Sequence, residues 1–271
     1  MTRSARNPAL LVVLLSLFIF VAASDPHVVR AAFCGDNLGG VRVPCDCGDV
    51  VAADVRLRPT DPIAQHRCPL DGLIVRANPT ADSVTLDLGG LAIVGSGHGF
   101  GILVERGGSD GAIIVGGPPG IRAEIVGFET GLLSVSSGAI ARLERVTFKG
   151  NTRHGISIRQ AGALLIAVES TQNGEDGMQI IGQGGRLERV VVRANRGNGI
   201  TADSPGLVVA GRIEDNARHG IVSLGIRSDL RRAIVRGNSG IGVIAGRGQL
   251  LDGIQAEWNA MGDVRIRRDL R

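Results

Sequence analysis

Histidine, aspartate and arginine residues recur at corresponding points of a repeat of about 22 residues, and these residue types can do acid–base or anion-binding chemistry. The candidate catalytic residues are His154, Asp176, Arg153, Arg218 and His219. A carboxylate hydrogen-bonded to an imidazole orients it, and guanidinium groups bind carboxylates through two hydrogen bonds. If successive repeats stack at the strand spacing of about 4.8 Å, His154 should lie within hydrogen-bonding reach of Asp176. This pattern predicts a site that holds sugar carboxylates.

The same residues also have a structural interpretation. They belong to short polar segments between Asn and Gly residues, where turns face water and charges need no function. The pattern contains no pair of carboxylates of the kind that a glycosidase or a calcium-assisted lyase requires. We therefore expect no metal site and no cofactor, with calcium needed only if the protein were a lyase. The non-catalytic interpretation is preferred, and a lyase or hydrolase remains the alternative.

An internal repeat must position these residues. Asparagines recur every 21 or 22 residues, and a glycine follows each of the first five by four residues. A single strong period of this length indicates a stack of similar coils. The asparagines of the expected structural ladder are Asn151, Asn173, Asn195, Asn216, Asn238 and Asn259. The glycines are Gly155, Gly177, Gly199, Gly220 and Gly242.

Apolar residues keep the same period. One set, eight residues before each Asn, is Leu143, Leu165, Leu187, Val208, Leu230 and Leu251. The runs that follow each Gly alternate as strands do, and stacked strands of consecutive coils must be parallel. A leucine-rich repeat would need leucine two residues after each Asn, but those positions hold Arg153, Glu175, Gly197, Arg218 and Gly240. We expect each Gly to serve a turn with positive φ or close backbone packing.

These features resemble the right-handed parallel β-helix repeat family, the pectate-lyase-like superfamily, of an exported bacterial type. The resemblance covers about residues 85–265. It implies an all-β, single-stranded right-handed parallel β-helix, a solenoid of about eight coils of 21–22 residues, with the Asn side chains stacked inside. Many members of that superfamily cleave or epimerise acidic polysaccharides, so the resemblance also raises the enzyme hypothesis. Fold alone does not establish an activity.

The N-terminal segment predicts export. Arg3 and Arg6 precede an apolar run at 9–20 and a small-residue cleavage site at 21–23, which is typical of a signal peptide. The protein is therefore expected to be secreted or periplasmic, with no transmembrane segment after cleavage. The expected organisation is a signal peptide at 1–23, a Cys-containing cap at 24–73 and a parallel β-helix domain at 74–271.

Four cysteines lie within one short segment, and an exported protein is expected to oxidise them to disulfides. Because Cys45 and Cys47 are too close to pair comfortably, each should bond to Cys34 or Cys68. A four-cysteine metal site is the alternative. The disulfides would staple a cap over the first coil, because a solenoid needs protection at its open ends.

Charge and composition limit the partners. The net charge is +4, but arginines alternate with acidic residues, which is typical of a solvated surface, so no nucleic acid is expected. The chain has no Tyr and one Trp, so it offers few aromatic platforms for sugars. The expected partners are an acidic polysaccharide or another surface macromolecule, with self-association through an uncapped C-terminal coil. The expected role is a surface, binding or assembly module; the ligand is left unassigned.

Overall fold

The computed structural model describes residues 32–135, 139–160, 162–225, 227–246 and 248–267. The expected signal peptide at 1–23 and the last four residues of the chain lie outside these ranges. Within them the chain forms 28 strands and one short 3₁₀ helix, Pro62–Ala64. None of the described residues forms a helix long and apolar enough to cross a membrane.

One twelve-stranded sheet, here called sheet 1, runs along the whole solenoid. Every neighbouring pair in it is parallel except the outermost, where Val41–Val43 pairs antiparallel with Phe33–Leu38. In spatial order its strands are Val41–Val43, Phe33–Leu38, Asp49–Val51, Leu73–Arg76, Phe100–Arg106, Thr130–Ser134, Ile156–Arg159, Met178–Ile181, Ile200–Asp203, Ile221–Ser223, Val243–Ala245 and Val264–Ile266.

The second sheet, sheet 2, has 16 strands in two rows that are joined by two long strands. The first row is Val55–Arg56, Thr85–Asp87, Ala112–Val115, Ile140–Glu144, Leu164–Ile166, Arg186–Arg193, Val208–Glu214, Asp229–Arg231 and Leu250–Asp252. The second row is Arg67–Cys68, Ala92–Gly95, Ala123–Val126, Val146–Lys149 and Glu169–Thr171, then the same two long strands, then Ile234–Arg236 and Gln255–Glu257. A regular coil therefore crosses sheet 2 twice and sheet 1 once.

The solenoid has about ten turns, because eleven parallel strands follow one another in sheet 1. The expectation of about eight coils was too low. It counted coils by their regular Asn and Gly residues, whereas strands Phe33–Leu38 and Asp49–Val51, within the expected cap, also stack in parallel. At the strand spacing the stack is roughly 50 Å long.

The Asn ladder is confirmed, and its six side chains are all buried. The Oδ1 of Asn195 accepts hydrogen bonds from both the backbone N and the Nδ2 of Asn173, at 3.0 and 2.9 Å. The Nδ2 of Asn195 donates to Oδ1 of Asn216 at 2.9 Å and to the carbonyl of Ser170 at 3.1 Å. This pattern repeats along the ladder and satisfies amides that would be costly to bury alone.

The ladder has a distinct partner at each end. The Oδ1 of Asn151 accepts a hydrogen bond from the backbone N of Phe128 at 3.0 Å. The Nδ2 of Asn259 donates to Oδ1 of Asp263 at 3.0 Å. Asp263 takes the place of the repeated glycine, because the strand after Gly242 pairs with the strand after Asp263.

The repeated glycines serve close packing. None of the five has a positive φ, and a Cβ on Gly177 would lie 2.4 Å from Cγ1 of Val192 and 2.7 Å from Nδ2 of Asn195. The left-handed backbone conformation instead falls on the residue just before each ladder Asn, with φ between 55 and 66°. These residues are Gly150, Gln172, Ala194, Asp215, Gly237 and Trp258.

The apolar positions confirm the predicted core with one correction. Leu143, Leu165, Leu187 and Leu230 are buried and Leu251 is half-buried against the core, but the fourth member of this row is Val209 and not Val208. Val209 pairs with Leu187 because the strand Val208–Glu214 lacks a bend residue that its neighbours have. Val208 therefore faces outward.

Two disulfides staple the N-terminal coils. Cys34 is bonded to Cys45, and Cys47 to Cys68, so each of the two central cysteines reaches outward as expected. All four lie in the apolar core, and no described cysteine is free, which leaves no thiolate for a four-cysteine metal site. The antiparallel strand Val41–Val43 covers the edge of sheet 1 beside them. The bridges are consistent with an oxidising compartment.

Candidate functional site

The predicted site residues lie in the turns between the ladder asparagines and the repeated glycines. His154, Asp176, Asn198 and His219 occupy one column, because the glycine after each of the first three donates a backbone hydrogen bond to the carbonyl of the next member. Arg153 and Arg218 belong to the adjacent column and are three coils apart. At about 4.8 Å per coil their backbones are roughly 14 Å apart, and the Arg153 guanidinium is engaged with Glu129 and Glu175.

Three of the four column side chains hold the backbone of the next coil. Asp176 Oδ1 accepts from the backbone N of Asn198 at 2.7 Å, and Asn198 Oδ1 accepts from that of His219 at 3.1 Å. His219 Nδ1 accepts from the backbone N of Ile241 at 2.8 Å. The column is thus a second ladder near the surface. Sequence reasoning missed this role, although the recurrence of hydrogen-bond acceptors at one position was a signal for it.

The expected pair of His154 with Asp176 is replaced by another. His154 Nε2 lies 3.1 Å from Oε2 of Glu175, the residue before Asp176. The second oxygen of Asp176 accepts instead from Oγ1 of Thr201 at 2.6 Å. Because both Asp176 oxygens are bound to the neighbouring coil, the carboxylate that can orient the imidazole is that of Glu175.

Arg153 joins two carboxylates beside this histidine. Its Nη1 lies 3.2 Å from Glu129, and its Nε 3.4 Å from Glu175. The hydrogen bond to Glu129 and the charge of Glu175 raise the pKa of Arg153, so it remains cationic. Glu129, Arg153 and His154 border a shallow depression of about 180 Å³. At this depression Ser157 Oγ donates a hydrogen bond to Oε1 of Gln179 at 3.0 Å. The buried Nδ1 of His154 has no hydrogen-bond partner among the described residues.

One group of described residues has the side-chain types and proximity of a metal site, and it lies elsewhere. Asp46, Cys47 and His66 place one potential ligand atom each within 4.8 Å of one another. Cys47 is bonded to Cys68, so its sulfur is not a thiolate, and His66 contacts Asp46 at 3.0 Å. The geometry gives no support for a metal centre there.

His219 carries a pH dependence that its position explains. Burial, followed by the positive charges of Arg265, Arg218 and Arg267, lowers its pKa below the ordinary value of 6.5. In the folded protein the histidine therefore stays neutral to lower pH than in the unfolded chain. The stability that it contributes is present above pH 6.5 and is lost as the pH falls through the lowered folded value.

We expect His219→Asn to weaken the acid sensitivity of the fold. The Asn side chain in the same column, at 198, already caps the next coil with its oxygen, and it does not titrate near neutrality. Urea midpoints at about pH 7.5 and about pH 5.5 should therefore differ less in the variant than in the wild type. An equal or larger difference in the variant would show that His219 is not the group responsible.

Residues 130–256 match the family described as the right handed beta helix region. No curated protein sequence matches the chain. Solved structures to which it is similar include the A-module of mannuronan C-5 epimerase AlgE6 from Azotobacter vinelandii, at 15% identity and a TM-score of 0.49, covering 80% of this chain and 70% of that chain. The AlgE4 A-module of the same organism has 16% identity and a TM-score of 0.39, covering 78% and 69%.

A third similar structure is the enzymatically active domain of tailspike protein 2 of bacteriophage CBA120. It has 13% identity and a TM-score of 0.45, and the alignment covers 80% of this chain and 35% of that chain. The classification does not depend on these similarities. It depends on the family match and on two parallel sheets wound from consecutive coils around one Asn ladder. Both observations show that the described part of the chain has the fold of a right-handed parallel β-helix.

Proposed function

We propose that this chain is an exported β-helix module that binds an acidic polysaccharide without transforming it. The observation that supports a non-catalytic role is that the candidate side chains are already engaged in contacts within the fold. Asp176 and His219 hold the backbone of the next coil, and Glu129 and Glu175 share their ion pairs with Arg153. No pair of free carboxylates borders the described part of the depression, and a glycosidase or a calcium-assisted lyase would need such groups.

Export follows from two independent features in this proposal. The predicted signal peptide would direct the chain out of the cytoplasm, and the disulfides suit secretion or the periplasm. Outside the cell, a rigid solenoid with an arginine-rich surface fits the binding of anionic glycans.

A carbohydrate-active enzyme is the second candidate, and one observation favours it. His154 has a buried Nδ1 without a partner, an Nε2 beside Glu175, and a depression next to it. In an enzyme acting on acidic glycans, His154 would be the proton-transfer group, Glu175 would orient it, and Arg153 would contact a sugar carboxylate.

Incubation with polyuronates separates the two candidates. We expect the purified protein to leave pectate, alginate and hyaluronan unchanged, with and without calcium, while binding at least one of them. Absorbance of unsaturated products and assays of reducing ends would report cleavage, NMR of the recovered alginate would report epimerisation, and co-sedimentation would report binding.

Product formation that disappears in His154→Ala would establish the enzyme instead. Arg196→Ala is a suitable control, because Arg196 is exposed and lies two coils beyond the turn that contains His154, outside the depression. Asp176→Asn is a poorer test, since it also alters the column that holds the backbone.

A further inference from the structure

A groove of about 500 Å³ lies on the outer surface of sheet 2, away from the depression beside His154. Five arginines and one glutamate line it, and its apolar floor comes from the central coil. Its lining includes Arg189 and Arg232 from the two outer coils and Val208, Ala210 and Gly211 from the central one. Its size is within the usual range for small-ligand sites.

The groove exists because one coil lacks a bend residue. In the coils on either side, Arg189 and Arg232 sit at the bend of sheet 2 with positive φ values of 53 and 48°. The central strand Val208–Glu214 passes the same point without an extra residue and presents Val208, Ala210 and Gly211 to the outside. The two bend arginines therefore face each other across two coil spacings, about 10 Å.

Arg189 and Arg232 also differ from the other basic residues in the groove. Arg186 is paired with Glu188, and Arg231 with Asp229. Neither bend arginine makes an ion pair or a side-chain hydrogen bond with another described residue. Both are exposed, and their charges are available to a ligand.

The bend conformation does not itself call for an arginine. Positive φ is unfavourable for an L-residue with a side chain, and glycine is the usual choice there, as at Gly253 in the bend of a later coil. Arg145, at the bend of an earlier coil, gains a hydrogen bond from its Nε to the carbonyl of Gly117 at 2.8 Å and a contact with Glu144. Arg189 and Arg232 make no comparable side-chain contact with any residue that the structure describes. Ala167 holds the same conformation, at φ 53°, at the bend of the coil before Arg189, so the bend itself requires no guanidinium group.

We propose that this groove binds a segment of an acidic polysaccharide, with a carboxylate or sulfate group held between Arg189 and Arg232. The sugar ring would lie on Val208, Ala210 and Gly211, and planar guanidinium groups suit both oxyanions. The proposal rests on the proposed binding function and assigns it to a specific site.

The test uses Arg189→Gly combined with Arg232→Gly in the full chain. Glycine removes both guanidinium groups and relieves the positive φ, so we expect the melting temperature to stay the same or rise. We expect binding to polygalacturonate or to dextran sulfate to weaken about tenfold or more, since two charge-assisted contacts are lost. Isothermal titration at low and moderate salt would measure this, with neutral dextran as the uncharged probe.

Arg145→Gly is the matched control, because it removes an arginine from the same bend row outside the groove. It should leave binding unchanged.

If the double variant binds the polyanions as tightly as wild type, the groove assignment is wrong while the binding function stands. If wild type binds the polyanions no better than neutral dextran, the proposed function fails and the groove assignment fails with it. Preference for polygalacturonate or for dextran sulfate would identify the carboxylate or the sulfate as the bound group.

Discussion

Asn195→Leu is expected to lower the free energy of unfolding by about 3 kcal/mol. The substitution deprives the backbone N and Nδ2 of Asn173 of their shared acceptor, and leaves Oδ1 of Asn216 and the carbonyl of Ser170 short of a donor. These groups are enclosed by neighbouring coils, where water cannot replace the lost partners. Leucine adds apolar contact, but it cannot satisfy several buried polar atoms at once.

Urea denaturation followed by circular dichroism would measure this loss. Asn37→Leu serves as a control of the same chemical type, because Asn37 is exposed and, among the described residues, its Oδ1 accepts only from the backbone N of Gly40, at 3.1 Å. The control should cost less than about 1 kcal/mol. If both variants lost the same small amount of stability, the ladder would not be a principal support of the stack.

Gly177→Ala should destabilise the fold by a similar amount, about 3 kcal/mol, for a steric reason. The added Cβ would lie 2.4 Å from Cγ1 of Val192, 2.7 Å from Nδ2 of Asn195 and 2.8 Å from the carbonyl oxygen of Gly199. The last of these atoms is backbone within a parallel sheet, so it cannot move aside without disturbing the pairing of two coils. Relaxation is therefore expensive even for a single methyl group.

Gly35→Ala is the appropriate comparison. Gly35 has no positive φ, and the nearest atoms to its added Cβ, on Leu38, Ala53 and Asp54, lie at the ordinary contact distances of 3.5–3.6 Å. We expect it to be nearly neutral in the same denaturation experiment. A neutral result at Gly177 as well would mean that the coils can separate locally, contrary to the close packing of the glycine column.

The stacking direction was predictable because it depends on a period. Asn173, Asn195 and Asn216 recur at a fixed spacing, and an inward amide is stable only if every coil supplies one, so the repetition itself implies the ladder. The sequence did not decide between two roles for the repeated glycines, because a turn with positive φ and a close approach of neighbouring atoms both favour glycine. Three-dimensional neighbours such as Val192 beside Gly177 decide between them.

The details at bends and turns were harder to predict. The displacement of Val208 from the core depends on a single missing bend residue, and counting back from Asn216 could not show where that residue was lost. The predicted partner of His154 was Asp176, whereas the observed partner is the preceding residue, Glu175. The prediction was wrong because the direction of a side chain in a turn depends on the local backbone conformation. The left-handed conformation of the residue before each Asn was indicated by glycine at Gly150 and Gly237. The other four members of that row have side chains, so the sequence pattern did not reveal the conformation.

The end of the ladder at Asp263 has an electrostatic consequence. Each amide from Asn151 to Asn259 donates toward the C-terminal side, so their dipoles point the same way and form a one-dimensional polar chain along the solenoid. Hydrogen bonds in such a series polarise one another. The carboxylate of Asp263 lies at the positive end, as an anion does at the N-terminus of a helix. The solenoid thus has an electrical direction as well as a winding direction, and a duplicated coil inserted between Asn195 and Asn216 would preserve both.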